Sequence, residues 1–107
     1  MSAFNGEAEI SRTIESILTQ SFRDFEFIIV NDGSTDETLT KLIELSMSNS
    51  RIRIVNLSRN FGKEAALTAG IDYVKGNALV PIDVDLQDPP ELIPKFVEKW
   101  REGYDVI

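Results

Sequence analysis

The sequence predicts an α/β fold: a mostly parallel sheet with helices on both faces, built as one domain. Three observations carry this. Segments with helical apolar spacing alternate with short β-branched runs along the chain, the pattern of strands joined by helical crossovers. The most polar stretches, NDGSTD, SRNFG and DVDLQDPPE, each follow one of the β-type runs, where the carboxyl edge of a parallel sheet would lie. Finally, 107 residues with 42% hydrophobic and 27% charged content suit a single globular unit with a modest core.

The elements follow in order. MSAFNGE reads as a loop running straight into a helix, so no strand is expected ahead of it. Ile10, Ile14, Ile17 and Leu18 mark an amphipathic helix over Glu7–Gln20, with Asn5 as its candidate N-cap. FEFIIV (Phe25–Val30) is an aromatic and β-branched run, a buried strand. Leu39, Leu42, Ile43 and Met47 trace a second helix, and Ser34 with Glu37 has the spacing of a capping box. RIRIVNL (Arg51–Leu57) alternates and then closes apolar, as a strand would. Gly62–Val74 is Ala-rich and predicts a third helix whose small residues allow close packing. ALVPID (Ala78–Asp83) predicts a third strand, with Pro81 marking an edge or an irregularity. Pro89–Arg101 is a fourth helix, with Asp88 and Glu91 in capping-box spacing and Gly103 as its stop. YDVI begins a further strand.

Composition narrows the function. There is no cysteine and no histidine, which leaves carboxylates, amides, hydroxyls and cations for any chemistry. The net charge of −7 argues against nonspecific nucleic-acid binding. No apolar stretch has the length of a membrane span, and no signal peptide opens the chain.

Three motifs stand out. Asp83, Asp85 and Gln87 are two apart, so in extended backbone their oxygens project to one side. Two carboxylates and an amide oxygen suit a hard divalent cation, Mg²⁺ or Mn²⁺; the same string also reads as a solvated acidic turn. In NDGSTDE the capping pattern accounts for most residues but leaves Asp32 over, placed to accept hydrogen bonds from a base N–H or a ribose hydroxyl. Neither G-x-G-x-x-G nor a P-loop occurs. Arg59 and Lys63 stand at the start of the third helix, either solvated or paired with a diphosphate. Phe4 either staples onto the first helix or lines the face of a base.

Together these stretches resemble the family 2 glycosyltransferases of the GT-A fold, a Rossmann-like nucleotide-sugar-binding fold. The resemblance runs from Phe4 to Ile107 and rests on AFNGE, FEFIIVNDGSTD and DVD. The longer strings LSRNFGKEAALTAGIDYVKG and IDVDLQDPPELIPKFVEKWREGYDVI are similar to the branch with dolichol-phosphate mannose synthase and the bactoprenol glucosyltransferases. The resemblance implies inverting transfer of a hexose from a UDP- or GDP-sugar to a polyprenyl phosphate. It implies that Phe4, Asn5, Glu7 and Asp32 hold the nucleoside. It implies that Asp83, Asp85 and Gln87 hold the metal, with Asp83 and Asp85 as the catalytic pair. It also places the full-length protein on the cytoplasmic face of the membrane. A family 2 enzyme acting on a glycan, and a non-catalytic nucleotide-binding domain, are the alternatives.

The sequence departs from the family in three places. Asn31 stands where the family commonly has a first Asp. The first strand and the acceptor half with its membrane-associated part are expected to be lacking, so residues 1–107 are expected to form a nucleotide-sugar-binding part truncated at both ends, soluble and without turnover. Unpaired sheet edges then favour a dimer or a strand swap. That expectation predicts a concentration-dependent rise in sedimentation coefficient; a purely monomeric profile at high concentration argues against it.

Overall fold

The computed structural model describes residues 1–6, 9–82 and 90–103. Among the described residues there are three strands, β1 (Ser2–Ala3), β2 (Phe27–Asn31) and β3 (Ile52–Asn56). Four helices accompany them: α1 (Ile10–Thr19), α2 (Thr38–Ser48), α3 (Lys63–Ile71) and α4 (Leu92–Arg101). The strands form one sheet in the order β1-β2-β3, and both pairings are parallel. Parallel neighbours require crossovers, which α1 and α2 supply.

Alternation along β2 divides its side chains between two faces. Phe27 and Ile29 join Ile10, Ile14 and Ile17 of α1 and Leu42 of α2 in the core, together with Ile93 of α4. Val30 points to the other face, where α3 packs. A Cβ on Gly70 would lie 3.1 Å from Val30 Cγ2, so glycine at this position lets the helix approach the sheet. Ala66, on the same helix, is fully buried. The close packing expected of this small-residue helix is therefore present at Ala66 and Gly70. The C-terminal turn of α1 is held from outside: the Arg23 and Arg51 guanidiniums both donate to the Leu18 carbonyl. Cations there answer the free carbonyls of a helix end.

Several local expectations are corrected. Ser2 and Ala3 form a short strand beside Val30 and Asn31, where none was expected ahead of α1. Two residues are too few to leave a periodic signal. Asn5 does not cap α1; the first turn closes instead on the Gly6 carbonyl, which accepts from the Glu9 and Ile10 amides. The Ser34–Glu37 capping box does not form either. Asp36 holds the start of α2, accepting from both the Thr38 amide and the Thr38 hydroxyl.

Ala78–Ile82 is not a strand. Pro81 removes one amide donor, and the two-residue edge of β1 offers few ladder partners. The segment instead lines an open cleft of about 630 Å³ with Met1, Ile28, Val30, Ile71 and Trp100. Gly103 stops α4 as expected, with φ +106° and its amide donating to the Trp100 carbonyl. Glu91 makes no side-chain cap bond at the start of α4. Asp88 and the YDVI stretch lie outside the described residues.

Candidate functional site

Three loops meet at the carboxyl end of the sheet: the one after β1, the turn after β2 and the stretch after β3. The ladder itself begins their convergence. The Asp32 amide donates to the Ala3 carbonyl, and the Leu57 amide donates to the Asn31 carbonyl, so pairing continues past the strand ends.

The first two loops are then clamped by side chains. Asn5 has φ +49°, a left-handed conformation that Asn tolerates better than most residues. Its amide donates to Ser34 Oγ at 2.9 Å, and its Oδ1 accepts from the Thr35 amide at 2.7 Å. The Gly6 amide adds a third link, to Thr38 Oγ1 at 2.9 Å. Asn5 and Ser34, each read from sequence as a helix cap, thus bind each other's loop across 29 residues.

Beneath the clamp lies Asn31, 2% exposed. Its Oδ1 accepts from Ser34 Oγ at 2.7 Å, and its Nδ2 donates to Asn56 Oδ1 at 2.8 Å. A carboxylate could fill only the acceptor half of this arrangement. Asn at this position therefore has a structural use, tying β2 to β3. Asn56 and Thr35 were not singled out from the sequence. Asn56 had a findable signal: it ends β3 opposite Asn31 in the parallel register.

Asp32 is equally buried, at 2% exposure. The Phe61 amide donates to its Oδ1 at 2.8 Å, which brings the third loop in. A buried carboxylate needs such a partner, and a charge-assisted bond is among the stronger ones available. Gly33 follows with φ +70°. A Cβ there would fall 2.2 Å from the Arg59 carbonyl carbon and the Asn60 nitrogen, so the two loops touch backbone to backbone. Arg59 is exposed at the rim, its guanidinium 4.7 Å from the centre of the Phe61 ring. Lys63 opens α3 and is exposed, as is Phe4 on the other side.

The structure thus gathers the loops of Phe4, Asn5, Asp32, Arg59 and Lys63 at one edge, the edge expected from the strand order. Glu7, Asp83, Asp85 and Gln87 lie outside the described residues. Among the described residues no three carboxylates group in a way that could hold a metal ion. No helix among them is long and apolar enough to cross a membrane.

Comparison with known proteins shows the family. The family model for glycosyl transferase family 2 matches residues 1–107. The chain is similar to an uncharacterized glycosyltransferase of Synechocystis, 60% identical over 103 residues, covering 96% of this chain and 32% of that protein. It is 47% identical over 107 residues to the uncharacterized glycosyltransferase YkcC of Bacillus subtilis, covering 97% of this chain and 33% of that one. It is 46% identical over 84 residues to the bactoprenol glucosyl transferase of Shigella phage SfX, covering 78% of this chain and 28% of the relative. The chain spans about a third of the length of these curated relatives.

Proposed function

The chain belongs to glycosyl transferase family 2, and from that premise we propose that it forms the donor-nucleotide part of a hexosyltransferase. The donor is a UDP- or GDP-sugar, and the acceptor is a polyprenyl phosphate attacked with inversion at the cytoplasmic face of a membrane. The observation that carries this reading is the meeting of three polar loops at the carboxyl ends of parallel strands, the edge where α/β sheets take nucleotides. The similarity to a protein named bactoprenol glucosyl transferase supports the acceptor class.

In this reading Phe4, Asn5, Glu7 and Asp32 contact the nucleoside. Arg59 and Lys63 balance the charge that builds on the departing diphosphate. Asp83, Asp85 and Gln87 would hold Mg²⁺ or Mn²⁺. The donor set fits a hard cation, and that ion, when bound, supplies charge neutralisation at the diphosphate. The acceptor phosphate is already a nucleophile, so a chain without histidine loses nothing it needs. Holding the acceptor in line with the departing bond supplies much of the remaining rate.

Calorimetric titration of UDP, GDP and their sugars, with and without Mn²⁺, tests the proposal. One base is expected to bind, and Mn²⁺ is expected to tighten it by about tenfold or more, roughly 1.4 kcal/mol. Failure of both nucleotides to bind in the presence of Mn²⁺ rejects the reading. Assaying the longer protein with polyprenyl phosphate against glycan acceptors decides the acceptor.

A further inference from the structure

We propose that Asp32 is a positioning residue: its buried carboxylate pins the Phe61 amide and thereby sets where Arg59 meets the diphosphate. The inference rests on the reading above that this edge takes a nucleoside diphosphate. It adds a second role for Asp32, exercised through the loop after β3.

Three observations converge on the loop Arg59–Phe61. The Phe61 amide donates to Asp32 Oδ1 at 2.8 Å, from a carboxylate almost wholly out of solvent. Its ring is the surface over which the Arg59 guanidinium lies, 4.7 Å from the centroid. And Gly33, next to Asp32, presses its backbone against Arg59 and Asn60. The loop is thus held by a hydrogen bond on one side of Arg59 and stopped by a backbone contact at Arg59 itself. Residues Ser58 to Gly62 are all exposed, so little burial fixes them. A pin at Phe61 controls both the backbone path and the ring that carries the cation. A carboxylate has further acceptor capacity beyond the one bond used here.

Inorganic pyrophosphate with Mn²⁺ separates the two roles, because it has no base. Loss of a base contact cannot weaken its binding; loss of the pin can. Asp32→Ala is expected to weaken pyrophosphate about 5- to 10-fold, and Arg59→Gln is expected to weaken it similarly. The double variant should be no weaker than either, since coupled residues do not add. In the ligand-free chain, Asp32→Asn should shift the Phe61 amide resonance, as a charged acceptor gives way to a neutral one. Should Asp32→Ala not fold, Phe61→Leu tests the same link from the exposed side: it keeps the amide, removes the ring, and should also weaken pyrophosphate.

The proposal alone is overturned if the wild-type chain binds nucleotide and pyrophosphate while Asp32→Ala or Phe61→Leu keeps full pyrophosphate affinity. It is overturned likewise if the Phe61 amide ignores Asp32→Asn. A wild-type chain that binds neither probe instead overturns the donor-site reading, and the proposal with it.

Discussion

Gly33→Ala is expected to lower folding stability by about 2–4 kcal/mol, the range of a substitution that combines backbone strain with a steric conflict. Two separate costs meet at this position. The backbone sits at φ +70°, where a side chain costs about 1–2 kcal/mol. The added Cβ would also lie 2.2 Å from both Arg59 C and Asn60 N, a distance no real contact allows. Backbone on both sides leaves no flexible side chain to give way, so the loop after β3 must retreat. Urea unfolding measures the loss directly; with a slope of about 2 kcal/mol per molar, the midpoint should fall by roughly 1–2 M. Two comparisons separate the causes. Asn tolerates positive φ, so Gly33→Asn would recover stability if conformation were the whole cost; the steric conflict predicts that it does not. Gly62, at φ +94°, has open space around its missing Cβ. At ψ 158° it also lies in a region that is nearly glycine-only, so Gly62→Ala should show the conformational cost alone, about 1–3 kcal/mol. Recovery of stability in Gly33→Asn would mean that the two loops do not touch.

The same contact shows where sequence reasoning reaches and where it stops. Periodicity located α1, α2, β2 and β3 to within a few residues, because each has its own apolar pattern against a shared core. It missed β1, whose two residues are defined by their partners Val30 and Asn31 alone. It placed a strand at Ala78–Asp83 because the residues favour one, but a strand is a pairing, and Ala78–Ile82 finds no ladder. Local capping patterns misread Asn5 and Ser34 for a related reason. A side chain that matches a capping motif is free to bond elsewhere, and these two bond to each other's loops. Asp32 was legible by elimination, as the residue the capping pattern left unexplained. Its partner Phe61 was not, since nothing in SRNFG marks an amide that will meet a carboxylate 29 residues earlier.

Ile29→Ala is expected to cost about 3–4 kcal/mol, within the 2–5 kcal/mol seen when a buried isoleucine or leucine is truncated. Ile29 is wholly inaccessible, on the central strand, in register with Ile54 of β3. The core around it draws on α1, α2 and α4, so no single element can relax into the cavity. For a domain of this size the loss is a large part of a total of roughly 5–15 kcal/mol. Ile29→Val removes one methylene and should cost about 0.5–1.5 kcal/mol, which checks that the effect scales with volume. The two largest effects then differ in kind. Gly33→Ala moves a loop, so it should also release the Phe61 amide from protection against hydrogen exchange. Ile29→Ala weakens the platform beneath that loop and leaves the local contact between Asp32 and Phe61 intact, so in the folded molecules the Phe61 resonance should stay where it is. A shift of that resonance in Ile29→Ala would mean that the strand end carrying Asn31, Asp32 and Gly33 is positioned by the core packing behind it rather than by the hydrogen bonds around it.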